Sequence, residues 1–243
     1  MENERLILAG VDEAGRGSVI GPLVVAGVAI EESKIPLLKE IGVRDSKLLA
    51  ARRRKQLYNQ IKKLATAVVW EKVQPIEIDN AVLSGRKFFR LNYLEARYMA
   101  SVLARLKYDE AFVDCCDTNE KRFGVQIAEL EALERGLEFG LGEENSLIKH
   151  IRCEHHADRN YPVVSAASII AKVTRDSQIE RLRKKHGLIG SGYPSDPDTI
   201  SYLNKSKVPA GEFPPFVRKS WLTVRRIQSE IRASEVGSRP FKF

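Results

Sequence analysis

The sequence predicts an α/β fold: a mixed sheet flanked by helices, followed by a helical C-terminal extension. Three observations carry this expectation. Two apolar, β-branched runs lie close together near the N-terminus with only a glycine-rich turn between them, so they should pair antiparallel. Strand-like and helix-like patterns then alternate, as in a sheet covered by helices. Beyond Gly192 the chain is punctuated by proline and reads as short helices.

The elements follow in order. Leu6 to Val11 and Pro22 to Ile30 are the paired runs, and Gly15 to Gly21 (GRGSVIG) is the turn between them. Asp45 or Ser46 can cap a helix that continues through Lys63, with Leu48, Leu49, Leu57, Ile61 and Leu64 near helical spacing. Ala67 to Val73 reads as a third strand. Ile76 to Leu83 and Phe88 to Leu106 read as helices, and Glu110 to Val113 returns to strand. Phe123 to Leu137 suits a helix, Ser146 to Arg152 a short strand, and Ser165 to Lys185 a long amphipathic helix. Further helices are expected at Pro197 to Asn204 and Pro215 to Arg232. The tail from Ser234 to Phe243 lacks periodicity and is expected to be flexible. This divides the chain into a main domain (1–194), a helical extension (195–233) and a tail (234–243).

The 243 residues include 43% hydrophobic ones, enough for a full core, with no run approaching the roughly 18 apolar residues of a membrane span. Acidic residues open the chain where a secretory signal would carry basic ones, so a cytoplasmic location is expected. Three cysteines, two of them adjacent, do not make a disulfide framework. With 40 Lys and Arg against 32 Asp and Glu, the net charge of +8 suggests an anionic partner, most often nucleic acid.

Against that positive background, acids gather where strands end. Asp12 and Glu13 close the first apolar run, and Asp114 and Asp117 follow the run AFV. Asp158 stands in HHADRNYP, just ahead of Ser165. One such acid is ordinarily a turn or cap residue. Repetition of the pattern points instead to a hard cation such as Mg²⁺, which takes oxygen ligands from carboxylates and from substrate phosphate. Gly15, Gly17 and Gly21 do not form a dinucleotide loop, because the third glycine comes one residue late and a strand follows it. They leave two readings open, an ordinary tight turn or a backbone that comes close to a polynucleotide while Arg16 contacts it. Cys153, His155 and His156 lack zinc spacing, although either histidine could carry a proton near a metal site. Lys47, Lys172, Arg175, the runs at Arg52, Arg181, Arg218 and Arg225, and Tyr193 in a glycine-flanked loop suit phosphate anchoring and ring stacking.

Taken in series, GVDEAGRG (10–17), RDSK (44–47), FVD (112–114), His155 to Asp158, SAASIIAKVTRD (165–176) and GSGYPSDP (190–197) closely resemble type 2 ribonuclease H. FPPFVRKSW (213–221) is similar to the archaeal branch. The resemblance spans about Leu6 to Arg232. It implies a ribonuclease H-like fold with a five-stranded mixed sheet and a C-terminal extension that closes a substrate groove. It implies that Asp12, Glu13, Asp114 and Asp158 are catalytic and bind metal, as two Mg²⁺ or Mn²⁺ ions. It also implies that Gly15, Arg16 and Gly17 line a ribonucleotide pocket and that Tyr193 packs on the sugar at an RNA–DNA junction. Lys47, Ser165, Ser168, Lys172 and Arg175 are implied to contact or support phosphates, and Asp117 and Asp176 to play no part in metal binding. The expected activity is hydrolysis of RNA in RNA–DNA hybrids and at single ribonucleotides in duplex DNA, by a monomer. The adjacent Cys115 and Cys116 depart from the small residues expected there. The last ten residues match nothing in the family; Pro240-Phe241-Lys242-Phe243 puts two aromatics there, which leaves two readings open, a docking segment for a replication sliding clamp or an unstructured end. A ribonuclease H-like resolvase or transposase, or a non-catalytic RNA-binding module, is the rival reading.

Overall fold

The computed structural model describes residues 5–43, 49–84, 90–137, 150–206 and 213–237, without the side chains of 232–237. Five strands form one sheet: β1 (Ile7–Ala14), β2 (Leu23–Glu31), β3 (Ala67–Val73), β4 (Glu110–Asp114) and β5 (Ile151–Glu154), in the order β3-β2-β1-β4-β5. β1 pairs antiparallel with β2 and β2 with β3, while β4 lies parallel to β1 and β5 parallel to β4. The sheet is therefore mixed, and β1 is its centre.

Each face has its own apolar layer. One holds Val24, Ala26, Val28, Ile30 and Phe112 against α1 (Ile35–Glu40), α2 (Ala51–Leu64) and a long helix that crosses the sheet. The other holds Ala9, Val11, Val25, Ala29 and Val113 against α4 (Leu91–Ala104) and α5 (Glu120–Glu134). β2 is buried on both sides, which is why its sequence is a continuous apolar run rather than an alternating one. The remaining helices are α3 (Pro75–Leu83), α6 (Ala157–Asn160), the long α7 (Pro162–His186), α8 (Pro197–Lys205) and α9 (Leu222–Gly237). No helix among the described residues is long and apolar enough to cross a membrane.

Several boundaries differ from the sequence expectation. The helix expected from Asp45 or Ser46 begins at Ala51, with Ala50 at the N-cap and no side-chain cap; residues 44–48 lie outside those described. The short α1 carried too few turns to show periodicity. α5 starts three residues early because Asn119 caps it, accepting the Arg122 N–H at 2.9 Å. β5 occupies Ile151–Glu154 because its register against Ala111 to Asp114 sets it there. Phe213 to Trp221 is not helical: Val217 bridges to Ile20 and Arg218 N donates to Val19 O, so helix starts only at Leu222. α9 then runs on to Gly237, past the expected start of the tail at Ser234, and residues 238–243 lie outside those described.

The extension is fastened to the β1–β2 loop rather than hung from the domain by a linker. Val19 and Ile20 share a core with Ile189, Leu203, Phe213, Val217, Val224 and Ile227. On α3, the buried Asp79 accepts from Lys219 N, Ser220 N and Ser220 Oγ at 2.9, 2.9 and 2.6 Å.

Candidate active site

At the C-terminal edge of the two central strands Asp12 comes within electrostatic reach of Asp114 and Asp158, and Glu13, on the neighbouring face, of Asp12 and Asp114. Val11 pairs with Val113 across the parallel β1–β4 ladder, which places Asp12 and Asp114 side by side one residue on. Asp12 is buried at 4% exposure. It accepts from Glu13 N at 2.6 Å and from the Ser168 side chain of α7. Asp114 accepts from Ala157 N at 2.8 Å and so ties β4 to the start of α6, the helix that carries the buried Asp158. His156, at φ 59°, makes the left-handed step from β5 into that helix. Ser165 is buried and donates its hydroxyl to the Asp158 carbonyl, so it supports an acid and does not face solvent. Glu13 lies on the alternate face of β1, toward Glu95 of α4, and feels the charges of both Asp12 and Asp114.

The electrostatics follow from this crowding. Burial first, then Asp114, raises the Asp12 pKa from 3.8 to about 8, against the opposing bonds from Ser168 and Glu13 N. Burial, then Asp12, Glu95 and Asp114, holds Glu13 well above the usual carboxylate range. Glu13 Oε2 is buried without a hydrogen-bond partner. The nearby cation, Arg16, is committed to Glu95 at 2.9 Å. Among the described residues no three His, Cys, Asp or Glu side chains stand ready-arranged around one ion. Asp12 and Asp114 each hold a backbone N–H instead, so the acids converge in charge rather than in ligand geometry. An all-carboxylate donor set with a buried unpartnered oxygen fits a hard divalent cation.

Beside the acids, Gly15 has φ +92°, and a Cβ there would meet Pro22 O at 3.1 Å and the Arg175 side chain at 3.3 Å. Gly17 is exposed, and a Cβ there would meet nothing within 4 Å. Gly192 O accepts Val19 N and Ile20 N at 2.7 and 3.1 Å, which joins the glycine turn to the loop of Tyr193. The Tyr193 ring lies 4.4 Å from the Arg175 guanidinium and 5.5 Å from Lys172 Nζ. Arg175 is almost fully buried and donates to Ser191 O at 2.7 Å, so it seats the tyrosine loop. Asp176 pairs with Lys172 at 3.0 Å and Arg175 at 3.4 Å. Asp117 likewise accepts from Asn92 and Asn119 N ahead of α5. Lys47 lies outside the described residues.

One expectation needs correction. Arg218 is not a surface phosphate anchor: it is fully buried, with Nε on Gly21 O at 3.1 Å and Nη1 on Arg16 O at 2.8 Å. Burial, then Arg175, lowers its pKa to about 9. Arg16 directs its guanidinium to Glu95 and Asn92, with 41% of the side chain still exposed. The three cysteines are free thiols whose pKa values burial raises. Sequence reasoning missed Asn92, Glu95 and Asp79. The signal for Glu95 was present, an acid at a core-facing position of a helix whose neighbours Leu94, Met99 and Val102 are buried.

The sheet order, with acids at the ends of its adjacent central strands, defines the ribonuclease H-like class of α/β folds. The family model described as Ribonuclease HII matches residues 9–224, and the chain belongs to that family of ribonuclease H enzymes. It is 44% identical over 224 residues to the ribonuclease HII of Cenarchaeum symbiosum, a match that covers 92% of this chain and 99% of that one. Among solved structures it is similar to ribonuclease H2 of Pyrococcus horikoshii OT3 (TM-score 0.78, 41% identity, 93% and 99% of the two chains). It is similar also to the ribonuclease HII of Archaeoglobus fulgidus, solved as a complex with PCNA (TM-score 0.74, 39% identity, 90% and 96%).

Proposed function

We propose that this chain hydrolyses the RNA strand of RNA–DNA hybrids and cuts at single ribonucleotides in duplex DNA, leaving 3′-hydroxyl and 5′-phosphate ends. The observation that carries this reading is the meeting of four acids, Asp12, Glu13, Asp114 and Asp158, beside a glycine turn whose outer member, Gly17, opens on free space. The four carboxylates would hold two Mg²⁺ or Mn²⁺ ions, which when bound supply Lewis-acid activation of water and charge neutralisation at the scissile phosphate. The protein's own residues do the rest. Ser168 and the Glu13 N–H fix Asp12, and the Ala157 N–H fixes Asp114. The exposed backbone at Gly17 lets a ribose approach and pair its 2′-hydroxyl with main-chain groups. A groove of about 890 Å³ between α2 and α7, lined by Arg54, Lys55, Lys172, Arg181, Lys184 and Tyr193, receives the polyanion. Digestion of a labelled RNA–DNA hybrid with and without Mg²⁺ or Mn²⁺ tests the reading. Cleavage abolished by a chelator is expected; binding with no cleavage under any metal would leave an RNA-binding module.

The electrostatics give a second test. A carboxyl whose pKa rises from 3.8 to about 8 binds protons more tightly in the folded state, so its stabilising contribution is present below pH 3.8 and lost as pH climbs toward 8. A cation that offsets the repulsion should therefore raise the melting temperature at pH 8 by roughly several degrees and do little at pH 5. Equal shifts at both pH values would place the cation elsewhere.

Tyr193, held on Arg175, stacks on the sugar at the junction with DNA. Tyr193→Ala should cut cleavage at a single embedded ribonucleotide by about ten- to a hundredfold, while binding falls far less. Equal losses on a continuous hybrid would show that the ring only supports its loop.

The Archaeoglobus relative was solved with PCNA, and the tail of this chain ends in Pro240-Phe241-Lys242-Phe243, two aromatics suited to a sliding clamp. Removing residues 238–243 should abolish clamp binding and leave cleavage intact. Equal clamp binding by both forms would refute the docking role.

A further inference from the structure

The glycine turn is gripped at one residue by two arms outside the acid cluster. Arg16 donates Nε to Glu95 Oε1 and Oε2 at 2.9 and 3.1 Å, and Nη2 to Asn92 Oδ1 at 2.6 Å. Glu95 is fully buried on α4 and accepts also from Cys116 Sγ at 3.2 Å; Asn92, one turn earlier, donates to Asp117 Oδ2 at 2.8 Å. From the other side comes Arg218, fully buried, with Nη1 on the Arg16 carbonyl at 2.8 Å and Nε on Gly21 O at 3.1 Å. Arg16 is thus held by its side chain and by its carbonyl. Little freedom remains in the peptide groups that join it to Gly15 and Gly17, whose dihedrals would otherwise be the softest in the loop. A buried carboxylate and a buried guanidinium are costly, and apolar residues of similar size would often serve stability as well. Here the Glu95 charge is spent on Arg16 and the Arg218 charge on the carbonyls of Arg16 and Gly21, so that both converge on Arg16, next to the one glycine of the turn that opens outward.

We propose that Glu95 and Arg218 are positioning residues for ribonucleotide selection: Glu95 through the side chain of Arg16, and Arg218 through its carbonyl, fix the backbone that meets the 2′-hydroxyl. This rests on the reading of the glycine turn given above. Neither residue needs to touch the substrate. Their loss should therefore change which sugar is accepted, where the loss of an ordinary structural support would lower all turnover alike.

The test uses the full chain, a DNA duplex carrying one ribonucleotide, and the same duplex carrying a 2′-fluoro nucleotide, which cannot donate a hydrogen bond. Glu95→Gln keeps the volume but removes the charge and one of the two acceptors. Its melting temperature should stay close to that of the parent, while kcat/KM on the ribonucleotide falls by about tenfold or more and slow cutting of the 2′-fluoro duplex scarcely changes, so that the preference shrinks. Arg16→Met combined with Glu95→Gln should be no worse than Arg16→Met alone, because both act through one contact. Arg218→Lys gives an independent reading of the same ratio, and carries the test should Glu95→Gln fail to fold. A preference kept by both variants, with losses equal on the two duplexes, overturns the positioning role. A parent protein that shows no preference between the duplexes overturns instead the reading on which it rests.

Discussion

Asp12→Asn should lower hydrolysis by roughly a thousandfold or more, about 4 kcal/mol of transition-state stabilisation, while duplex binding persists. The substitution keeps size and shape and removes one charge from the acid that sits at the centre of the sheet, against Ser168, Asp114 and Asp158. The same change should leave folding intact or improve it. In the parent, burial and Asp114 raise this carboxyl to about 8, so at pH 8 a neutral amide relieves a repulsion that the folded protein carries. A site that loses activity while gaining stability on loss of an acid is one whose charge serves a ligand. Asp176→Asn is the contrast: Asp176 pairs with Lys172 and Arg175 on α7, and its loss should change turnover only several-fold, through looser seating of Tyr193. Retained cleavage by Asp12→Asn would exclude this cluster as the active site.

Gly10→Ala should destabilise the fold by about 3 kcal/mol or more, a fall in melting temperature of roughly 6 to 12 °C for a chain of this size. The cause is the close approach of α7 to β1. A Cβ at Gly10 would lie 2.4 Å from the carbonyl carbon of Val163 and 2.5 Å from Val164 N, backbone atoms that cannot rotate away. Relief requires the start of α7 to lift off the sheet, and with it Ser165, which holds the Asp158 carbonyl, and Ser168, which holds Asp12. Activity should fall with stability. Gly17→Ala is the opposite case: a Cβ there meets nothing in the protein, so the melting temperature should stay within about 2 °C. Its cleavage at a single ribonucleotide should nevertheless fall sharply, since the methyl group occupies the space a ribose would take. Thermal melts and turnover measured on the pair separate a glycine kept for packing from one kept for a ligand. Similar melting losses in both would contradict the distinction.

The contrast also shows what the sequence could convey. Asp12 and Asp114 were legible because a short apolar run that ends in an acid is visible in one dimension, and the parallel register of β1 and β4 aligns the two; Asp158, in HHADRNYP, ends no such run and stood out only by its place ahead of Ser165. Gly10 left only a faint mark, a glycine inside a strand pattern, which signals close backbone approach but not by what. The grip on Arg16 was not legible at all. It joins residues 76, 79 and 202 positions apart in sequence, and no local pattern relates them. Arg218 read as one more cation in a basic run, because sequence reports charge and not burial. The C-terminal boundaries failed for a related reason. Pro215 to Trp221 reads as the start of a helix, but tertiary bonds with Val19, Gly21 and Asp79 hold it in turns until Leu222.

The central claim is that one pocket joins carboxylate-based hydrolysis to recognition of a single 2′-hydroxyl. It is tested most directly by incubating the protein with Mg²⁺ or Mn²⁺ and a duplex that carries one ribonucleotide, beside all-DNA and all-RNA duplexes, with the product ends mapped. One cut is expected, at the ribonucleotide, with 3′-hydroxyl and 5′-phosphate termini, and no cutting of all-DNA. Cleavage of the all-DNA duplex at a comparable rate would contradict it.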